Sequence, residues 1–498
     1  MENTTASTDR RWLGFFAVLA AMIMNLLDST VVNVAAPSIQ ADLGGSDASL
    51  QWIAASYTLA LAVGLLTGGR LGDMFGRRRM MLIGVAGFLL ASMACALAWA
   101  PGVLIAARVA QGLFGAVMIP QAFGLIRDLF PPREIGKAFG ALGPVIGLST
   151  ILGPVVAGLL VDADLWGTGW RMVFFINLPL GAFALLAGRA ALPSRPGAAA
   201  GGMRLDWTGA LLAGLGTFLL VYPLVQGREQ GWPAWLLAVG AGAVIALGLF
   251  VAHQIRHGRS GGTPLVELSV LAKRSYTSGV AFVIVFFGSI VGFSLALGLF
   301  LQMGRGFSPV RASLTMASWA LGAFFGSGFG ATMMARLGRR ILHLGLALMA
   351  TGLVGLTVVY DRAGMDIDGL DLALPLIVYG FGMGMIFVPL FDIIMGEIRD
   401  HEVGSAAGLL ESFQQLGASL GVAVLGTVFF SAGSFLDATR QVTLLALGLT
   451  VLAFALAFLL PRRARPTGHT APEPGGTADA GDAAPDDDAA GAREAALV

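Results

Sequence analysis

Long runs without charge recur along this chain at intervals of roughly 20–30 residues, the length that a membrane-spanning helix needs. Of its 498 residues, 56% are hydrophobic and only 12% are charged. This is too little charge to cover the surface of a water-soluble protein of this size. Glycine is very abundant, with 70 residues, which in membrane helices favours close approach of neighbouring helices. The sequence therefore predicts an all-α membrane protein.

We count fourteen such runs, an even number that places both chain termini on one side of the membrane. Arginine and lysine crowd into alternate loops, for example at Arg77–Arg79 and at Arg339 and Arg340. The positive-inside rule therefore places both termini in the cytoplasm. The predicted spans are 12–36, 49–69, 80–99, 102–125, 138–161, 171–192, 206–226, 233–253, 276–300, 310–335, 341–360, 371–396, 403–431 and 438–460.

A weak internal repeat divides the chain. Gly76-Arg77-Arg78 follows the second predicted span and Gly338-Arg339-Arg340 follows the tenth. Such repeats are typical of transporters whose substrate site lies between the two halves, near the bilayer midplane. The repeat predicts six spans, two extra spans and six more. The predicted segments are a cytoplasmic N-terminus at 1–11, a six-helix bundle at 12–192, the extra pair with its linkers at 193–275, a second six-helix bundle at 276–460 and a disordered cytoplasmic tail at 461–498.

Asp28 lies in the middle of the first predicted span, where a carboxylate costs about 2.5–3.5 kcal/mol even on the mildest insertion scale. By helical rise, Asp28 lies ~13 Å and Arg108 of the fourth span ~9 Å from the outer ends of their helices. A buried arginine needs an anionic or carbonyl partner. If the first and fourth spans touch, these two residues are predicted to form a switchable, proton-coupling pair. A static structural ion pair is the alternative.

A second acid, Glu411, lies in the thirteenth predicted span, ~13 Å from its cytoplasmic end. It is predicted to carry a proton or to attract a cationic substrate. Further candidates for substrate binding are polar residues that share a helical face with one of these charged residues. Aromatic residues deep in a span are also candidates, and for them packing against lipid is the alternative. The predicted substrate-binding residues are Asn25, Tyr57, Gln111, Trp319 and Gln415.

The loop after the second span, Gly69–Arg79, reads GRLGDMFGRRR. Its glycines permit close helix approach and a sharp turn, and Asp73 can face a helix N-terminus or an arginine of the other half. A plain positive-inside loop is the alternative. The spacing resembles the signature loop of the major facilitator superfamily. The predicted conformational gate combines residues of this loop with two residues of the fifth span. Its members are Gly69, Asp73, Gly76, Arg77 and Arg78 of the loop, and Gly153 and Pro154 of the fifth span.

Further segments resemble motifs of the fourteen-span drug:proton antiporter branch of that superfamily. They are Leu27–Pro37, Leu104–Gly112, Gly147–Gly158, Trp170–Gly181 and Leu205–Gly209. Ala157 stands where the branch has a glycine, and the resemblance covers residues 12–460. It implies a major facilitator fold with fourteen helices, arranged 6 + 2 + 6, and efflux driven by inward proton flow.

The predicted function is proton-coupled export of a small hydrophobic or cationic drug or antibiotic across a bacterial plasma membrane. The predicted partners are that compound, protons and the bilayer, with no nucleic acid, and the protein is predicted to be a monomer. The sequence has no Walker loop, no metal-ligand spacing and no catalytic arrangement, so we expect no cofactor, metal or enzymatic activity. The alternatives are an exporter or symporter of a lipid, siderophore or metabolite, and a receptor or scaffold that does not transport.

Overall fold

The computed structural model describes residues 8–131, 134, 153–194, 205–262, 264–266, 268–398 and 403–461. All regular secondary structure in these ranges is helical. The predicted all-α class is therefore confirmed. The predicted disordered tail from residue 462 onward, the linker at 195–204 and most of the predicted fifth span lie outside the described residues.

Twelve helical segments in the described ranges are long and apolar enough to cross a membrane. Two further helices, α5 and α12, fall in the fifth and tenth predicted spans. The helices are α1 (Thr8–Leu43), α2 (Asp47–Phe75), α3 (Arg77–Ala96), α4 (Pro101–Leu129), α5 (Gly153–Ala163), α6 (Met172–Phe175), α7 (Asn177–Ala191), α8 (Trp207–Gln226), α9 (Ala234–Arg259), α10 (Leu268–Leu271), α11 (Arg274–Leu299), α12 (Pro309–Leu337), α13 (Arg340–Ala363), α14 (Gly369–Met395), α15 (Val403–Ser431) and α16 (Phe435–Ala457).

The two turns that the internal repeat aligns have the same construction. Gly76 has a φ of 91° and its N–H donates to the Gly72 carbonyl at 2.9 Å. Gly338 has a φ of 49° and its N–H donates to the Met334 carbonyl at 2.8 Å. Because side chains with a Cβ are strained at positive φ, glycine is suited to end one helix and start the next within a residue or two.

The same helix pairs pack in both halves of the chain. In the amino-terminal group, α1–α7, the pairs are α2 with α4, α3 with α4 and α1 with α7. In the carboxy-terminal group, α11–α16, the pairs are α12 with α14, α13 with α14 and α11 with α16. The two groups are therefore built to one plan, as the aligned turns predict.

Glycines bring α12 and α14 into backbone contact. A Cβ at Gly326 would overlap the Phe381 carbonyl group, and a Cβ at Gly330 would overlap the backbone of Met385. Small residues spaced four apart let membrane helices approach closely and gain van der Waals contact, which replaces the hydrophobic driving force that lipid removes. The high glycine content thus serves helix packing.

The two groups meet along α2 and α15, which pack against each other. The Gln302 side chain donates to the Val34 carbonyl at 3.0 Å, and the Val310 N–H donates to the Asp162 carboxylate at 3.2 Å. These bonds join α1 and α5 of the first group to residues just after α11 and at the start of α12. Polar contacts between the groups thus accompany the α2–α15 packing.

The extra pair, α8 and α9, packs on α2 and α15 through α8. The loop between α8 and α9 reaches the start of α2, where Glu229 accepts from the Ala48 N–H at 2.9 Å and Arg228 pairs with Asp47 at 2.7 Å. On the other side, the Thr427 hydroxyl of α15 donates to the Leu224 carbonyl at 2.6 Å. The extra pair thus bridges the two groups.

Asp206 fastens the beginning of α8 to the end of α9. It accepts from the Gly209 N–H at 2.8 Å and from Gln254 at 2.7 Å, and lies 2.8 Å from the His253 ring. Burial raises the pKa of Asp206, but the bonds from Gly209, His253 and Gln254 outweigh it and leave the pKa below its usual value. Asp206 is therefore an ionised helix cap.

A methyl group at Gly326 should separate α12 from α14. We expect Gly326→Ala to lower the stability of the purified protein by about 1–3 kcal/mol, the usual cost of overpacking. Gly328→Ala is the matched control, because no atom lies near its Cβ position and alanine is the better helix former. Thermal unfolding in detergent measures both variants, and equal midpoints for the two would contradict the packing account.

Candidate functional site

A buried ion pair lies in the amino-terminal group. Arg108 of α4 donates through Nη1 to Oδ2 of Asp28 on α1, and the two side chains are 1% and 0% exposed. The two residues that the sequence predicted to pair by depth are therefore in contact. Since a lone buried charge is strongly unfavourable, each charge makes the burial of the other possible.

Two amides complete the surroundings of the Asp28 carboxylate. Oδ1 accepts from Gln111 Nε2 at 2.7 Å and from Asn177 Nδ2 at 2.9 Å. Both amides also donate to Ser92 Oγ, at 2.8 and 3.1 Å. An ionised carboxylate only accepts hydrogen bonds, so this arrangement of donors matches the ionised form of Asp28.

Arg108 has further partners apart from Asp28. Its Nη1 donates to Gln111 Oε1 at 2.8 Å, its Nε donates to the Ile53 carbonyl at 3.4 Å, and its Cζ lies 4.2 Å from the centre of the Tyr57 ring. The Tyr57 hydroxyl in turn donates to Asn25 Oδ1 at 2.5 Å. The guanidinium is thus held by an amide, a carbonyl and a cation–π contact, which remain available if Asp28 loses its charge.

Local sequence explains how α4 and α7 reach Asp28. Arg108 and Gln111 share a face of α4 by i, i+3 spacing. Gly112 lies against the backbone carbonyl of Tyr57, so α4 can approach α2 closely. The helix α6 ends at Phe175 and α7 begins at Asn177, which places the Asn177 amide at the break between two helices. We name Asp28, Arg108, Gln111, Asn177 and Ser92 the charge cluster.

A second polar group lies on α15. The Gln415 side chain donates to Glu411 Oε1 at 3.1 Å, and Glu411 is partly buried. Glu411 lies within electrostatic range of the Tyr57 hydroxyl, and α15 packs on the helix that carries Tyr57. The acid of the carboxy-terminal group therefore lies on the helix that packs against α2, which carries Tyr57.

The structure divides the predicted substrate-binding residues. Gln111 belongs to the charge cluster, and the Tyr57 ring contacts its Arg108. Asn25 bonds to Tyr57, and Gln415 bonds to Glu411. Trp319 lies apart, in the core of the carboxy-terminal group, where its ring packs 5.1 Å from that of Tyr379. Helix spacing from sequence could not separate these environments.

An apolar cavity of about 410 Å³ lies between α2, α4 and α8. Trp52, Phe218 and Tyr222 line it, together with aliphatic residues and Ser56. The predicted substrate-binding residues are not among its lining residues.

The predicted gate loop is anchored within the amino-terminal group. Arg77 lies 3.4 Å from Asp73, four residues before it, and 3.7 Å from Asp128 of α4. Arg78 donates to the Arg189 carbonyl at the end of α7 at 2.6 Å. In the part of the chain that the structure describes, Asp73 thus pairs within its own loop, because i, i+4 spacing brings Arg77 to it, and not with the carboxy-terminal group.

The other predicted gate residues lie on separate helices. Gly69 is in the last part of α2, where a Cβ would only touch Pro120. Gly153 and Pro154 begin the described part of α5. A Cβ at Gly153 would meet Leu27 and Thr30, on either side of Asp28 along α1. The glycine–proline segment therefore adjoins the helix that carries the buried acid.

Sequence reasoning missed two residues of the charge cluster. Asn177 stands within the segment Trp170–Gly181, which resembles a family motif, and this segment was the signal that could have found it. Ser92 is a single small polar residue in an apolar run, without a motif. Serines in membrane helices commonly bond to their own backbone, so its position alone predicts nothing.

The family model described as Major Facilitator Superfamily matches residues 18–422. The chain belongs to the Major Facilitator Superfamily. This is a family of transporters, so the expectation that the chain is not an enzyme is confirmed. With twelve apolar helices of spanning length among the described residues, it is a multi-pass membrane protein.

Several bacterial relatives cover most of the chain. A "Probable actinorhodin transporter" of Streptomyces coelicolor is 50% identical over 424 residues, which are 84% of this chain and 73% of that protein. The "Tetracenomycin C resistance and export protein" of Streptomyces glaucescens is 36% identical, covering 85% of this chain and 76% of that protein. A puromycin resistance protein of Streptomyces alboniger is also 36% identical, covering 84% and 82%.

Solved structures share the fold. A bacterial homologue of the human lysosomal transporter Spinster superposes with a TM-score of 0.65 at 16% identity, covering 91% of this chain and 97% of that chain. An auto-inhibited peptide transporter of the POT family gives a TM-score of 0.63 at 16% identity, covering 90% and 95%. At such identities the likeness concerns the fold alone.

Removing one charge of the Asp28–Arg108 pair should lower the stability of the protein more than removing both charges. We expect Arg108→Gln to lose about 3–5 kcal/mol of stability, because it leaves the Asp28 carboxylate buried without a countercharge. The double variant Asp28→Asn with Arg108→Gln should lose less. Thermal unfolding of the purified proteins checks this, and losses that simply add would show that the two charges do not interact.

Proposed function

We propose that the chain is a proton-coupled antiporter that exports a small hydrophobic or cationic drug or antibiotic. The observation that carries the proposal is the buried pair of Asp28 and Arg108. Replacing a buried ion pair with apolar residues is often neutral or stabilising, so a fold selected only for stability has little need for one inside a membrane. A carboxylate that binds and releases a proton gives the pair a use.

The relatives support export of an antibiotic. Their names describe a transporter, a resistance and export protein and a resistance protein. The similarity extends over most of each chain, so it includes both helix groups and the extra pair. Energy comes from the proton gradient, and the protein works as a monomer without a cofactor.

The proposed topology has fourteen spans, arranged 6 + 2 + 6, with both termini in the cytoplasm. The twelve apolar helices, together with α5 and α12, support this number. The arginines beside Gly76 and Gly338 support a cytoplasmic position for these turns. The amino-terminal group then corresponds to the bundle at 12–192, and the carboxy-terminal group to the bundle at 276–460.

The charge cluster and Glu411 have different roles in the proposed cycle. Substrate enters between the groups from the cytoplasm, and Glu411 attracts a positive charge on it. Outward opening exposes Asp28, which takes up a proton and weakens its bond to Arg108 as the substrate leaves. Inward opening, gated by the Asp73 loop and by the Gly153-Pro154 segment, returns the proton to the cytoplasm.

Transport in proteoliposomes tests this proposal, with the fluorescent cation ethidium as the probe. In proteoliposomes that contain the wild-type protein, an imposed proton gradient should drive ethidium against its concentration gradient. Asp28→Asn should abolish this movement, because an amide cannot take up the proton. Asp42→Asn is the matched control: Asp42 lies on the same helix, but is largely exposed and pairs with Arg171.

Two outcomes would contradict the proposal. Gradient-driven transport that survives Asp28→Asn unchanged would remove Asp28 from the coupling step. Ethidium movement in the same direction as the protons would indicate a symporter of the same fold.

A further inference from the structure

Among the described residues, the hydrogen-bond partners of the Asp28 carboxylate are Arg108, Gln111 and Asn177. Each of them donates to it. This suits the ionised acid. A protonated carboxyl group is different, because its O–H is itself a donor and needs an acceptor. The proposed function requires Asp28 to be protonated in part of the cycle, so the cluster must supply such an acceptor.

Most acceptors beside Asp28 are already occupied. Ser92 Oγ accepts from both amides. Gln111 Oε1 accepts from Arg108 at 2.8 Å and lies 3.6 Å from the Cys95 thiol. An oxygen with two lone pairs has no capacity left after two such bonds.

Asn177 holds the unused acceptor. Its side chain is fully buried, its Nδ2 makes two bonds, and its Oδ1 has no hydrogen-bond partner among the described residues. Buried polar atoms are almost always paired, and an unpaired one asks for an explanation. The terminal torsion of asparagine is broad and nearly two-fold, so the amide can exchange its oxygen and nitrogen without movement of the backbone.

We propose that Asn177 is a positioning residue that stabilises protonated Asp28 by turning its amide. The proton arrives from the water that reaches the open site and forms an O–H bond at Asp28 Oδ1. The Asn177 amide turns, so that its Oδ1 takes the place of Nδ2 and accepts this O–H. The proton leaves from the same atom when the site faces the other side.

Arg108 keeps its own proton throughout, so protonation of Asp28 leaves the cluster with one net positive charge. The charge stays in contact with Gln111 Oε1, the Ile53 carbonyl and the Tyr57 ring. In the described ranges, the titratable and charged groups of the packed helices around Asp28 include Arg108 of α4, Tyr57 of α2 and Cys95 of α3, and Glu411 of α15 lies within electrostatic range of Tyr57.

This inference rests on the proposed proton uptake by Asp28, and infrared spectroscopy can test the two separately. The difference spectrum of the purified protein between acid and alkaline pH contains the C=O stretch of each protonated carboxyl group. The band that Asp28→Asn removes belongs to Asp28. In Asn177→Leu we expect this band at higher wavenumber, because the protonated acid has lost its acceptor.

Ser92→Ala is the matched control, since Ser92 is the rival acceptor and contacts both amides. The Asp28 band should keep its wavenumber in this variant. If Asn177→Leu does not fold, Asn177→Ala tests the same shift of the Asp28 band. Asn177→Thr restores an acceptor and should move the band back towards the wild-type position.

Three results would overturn the inference. An Asp28 band that Asn177→Leu leaves in place would show that Asn177 does not accept from the protonated acid, while the proposed function stands. A band that moves in Ser92→Ala instead would assign the acceptor to Ser92. The absence of any Asp28 band in the wild type would overturn the inference and the proposed function together.

Discussion

The charge pair of Asp28 and Arg108 is the interaction on which the amino-terminal group depends. A carboxylate surrounded by hydrocarbon is stable only if a countercharge and enough donors surround it. This requirement explains why otherwise apolar helices carry Ser92, Gln111 and Asn177 at one depth. Gly112 lets α4 approach α2 closely, and there the Tyr57 ring covers the guanidinium of Arg108.

Close helix packing provides the frame for that cluster. Glycines bring α12 and α14 into contact, and the same pair of helices packs in the amino-terminal group, as α2 with α4. In the proposed cycle, two groups of one design that meet along α2 and α15 rock against each other while each stays intact. The charge cluster lies inside one group and Glu411 lies on the other, so their relation changes with this motion.

Much of this arrangement could be predicted from the sequence, because it follows from distances along helices. The rise per residue placed Asp28 and Arg108 at similar depth, and the Gly76 and Gly338 turns revealed the repeat. Which side chains meet depends on helix rotation, which the sequence does not define. For this reason the sequence does not show that the Trp319 ring packs against Tyr379, and it does not single out Asn177.

The central claim is that Asp28 exchanges a proton as substrate binds. The most direct measurement is the release of protons when ethidium is added to the purified protein in weakly buffered detergent solution with a pH indicator. The account predicts release at a pH where part of the Asp28 population is protonated, and no release from Asp28→Asn. Equal release from both proteins would contradict it.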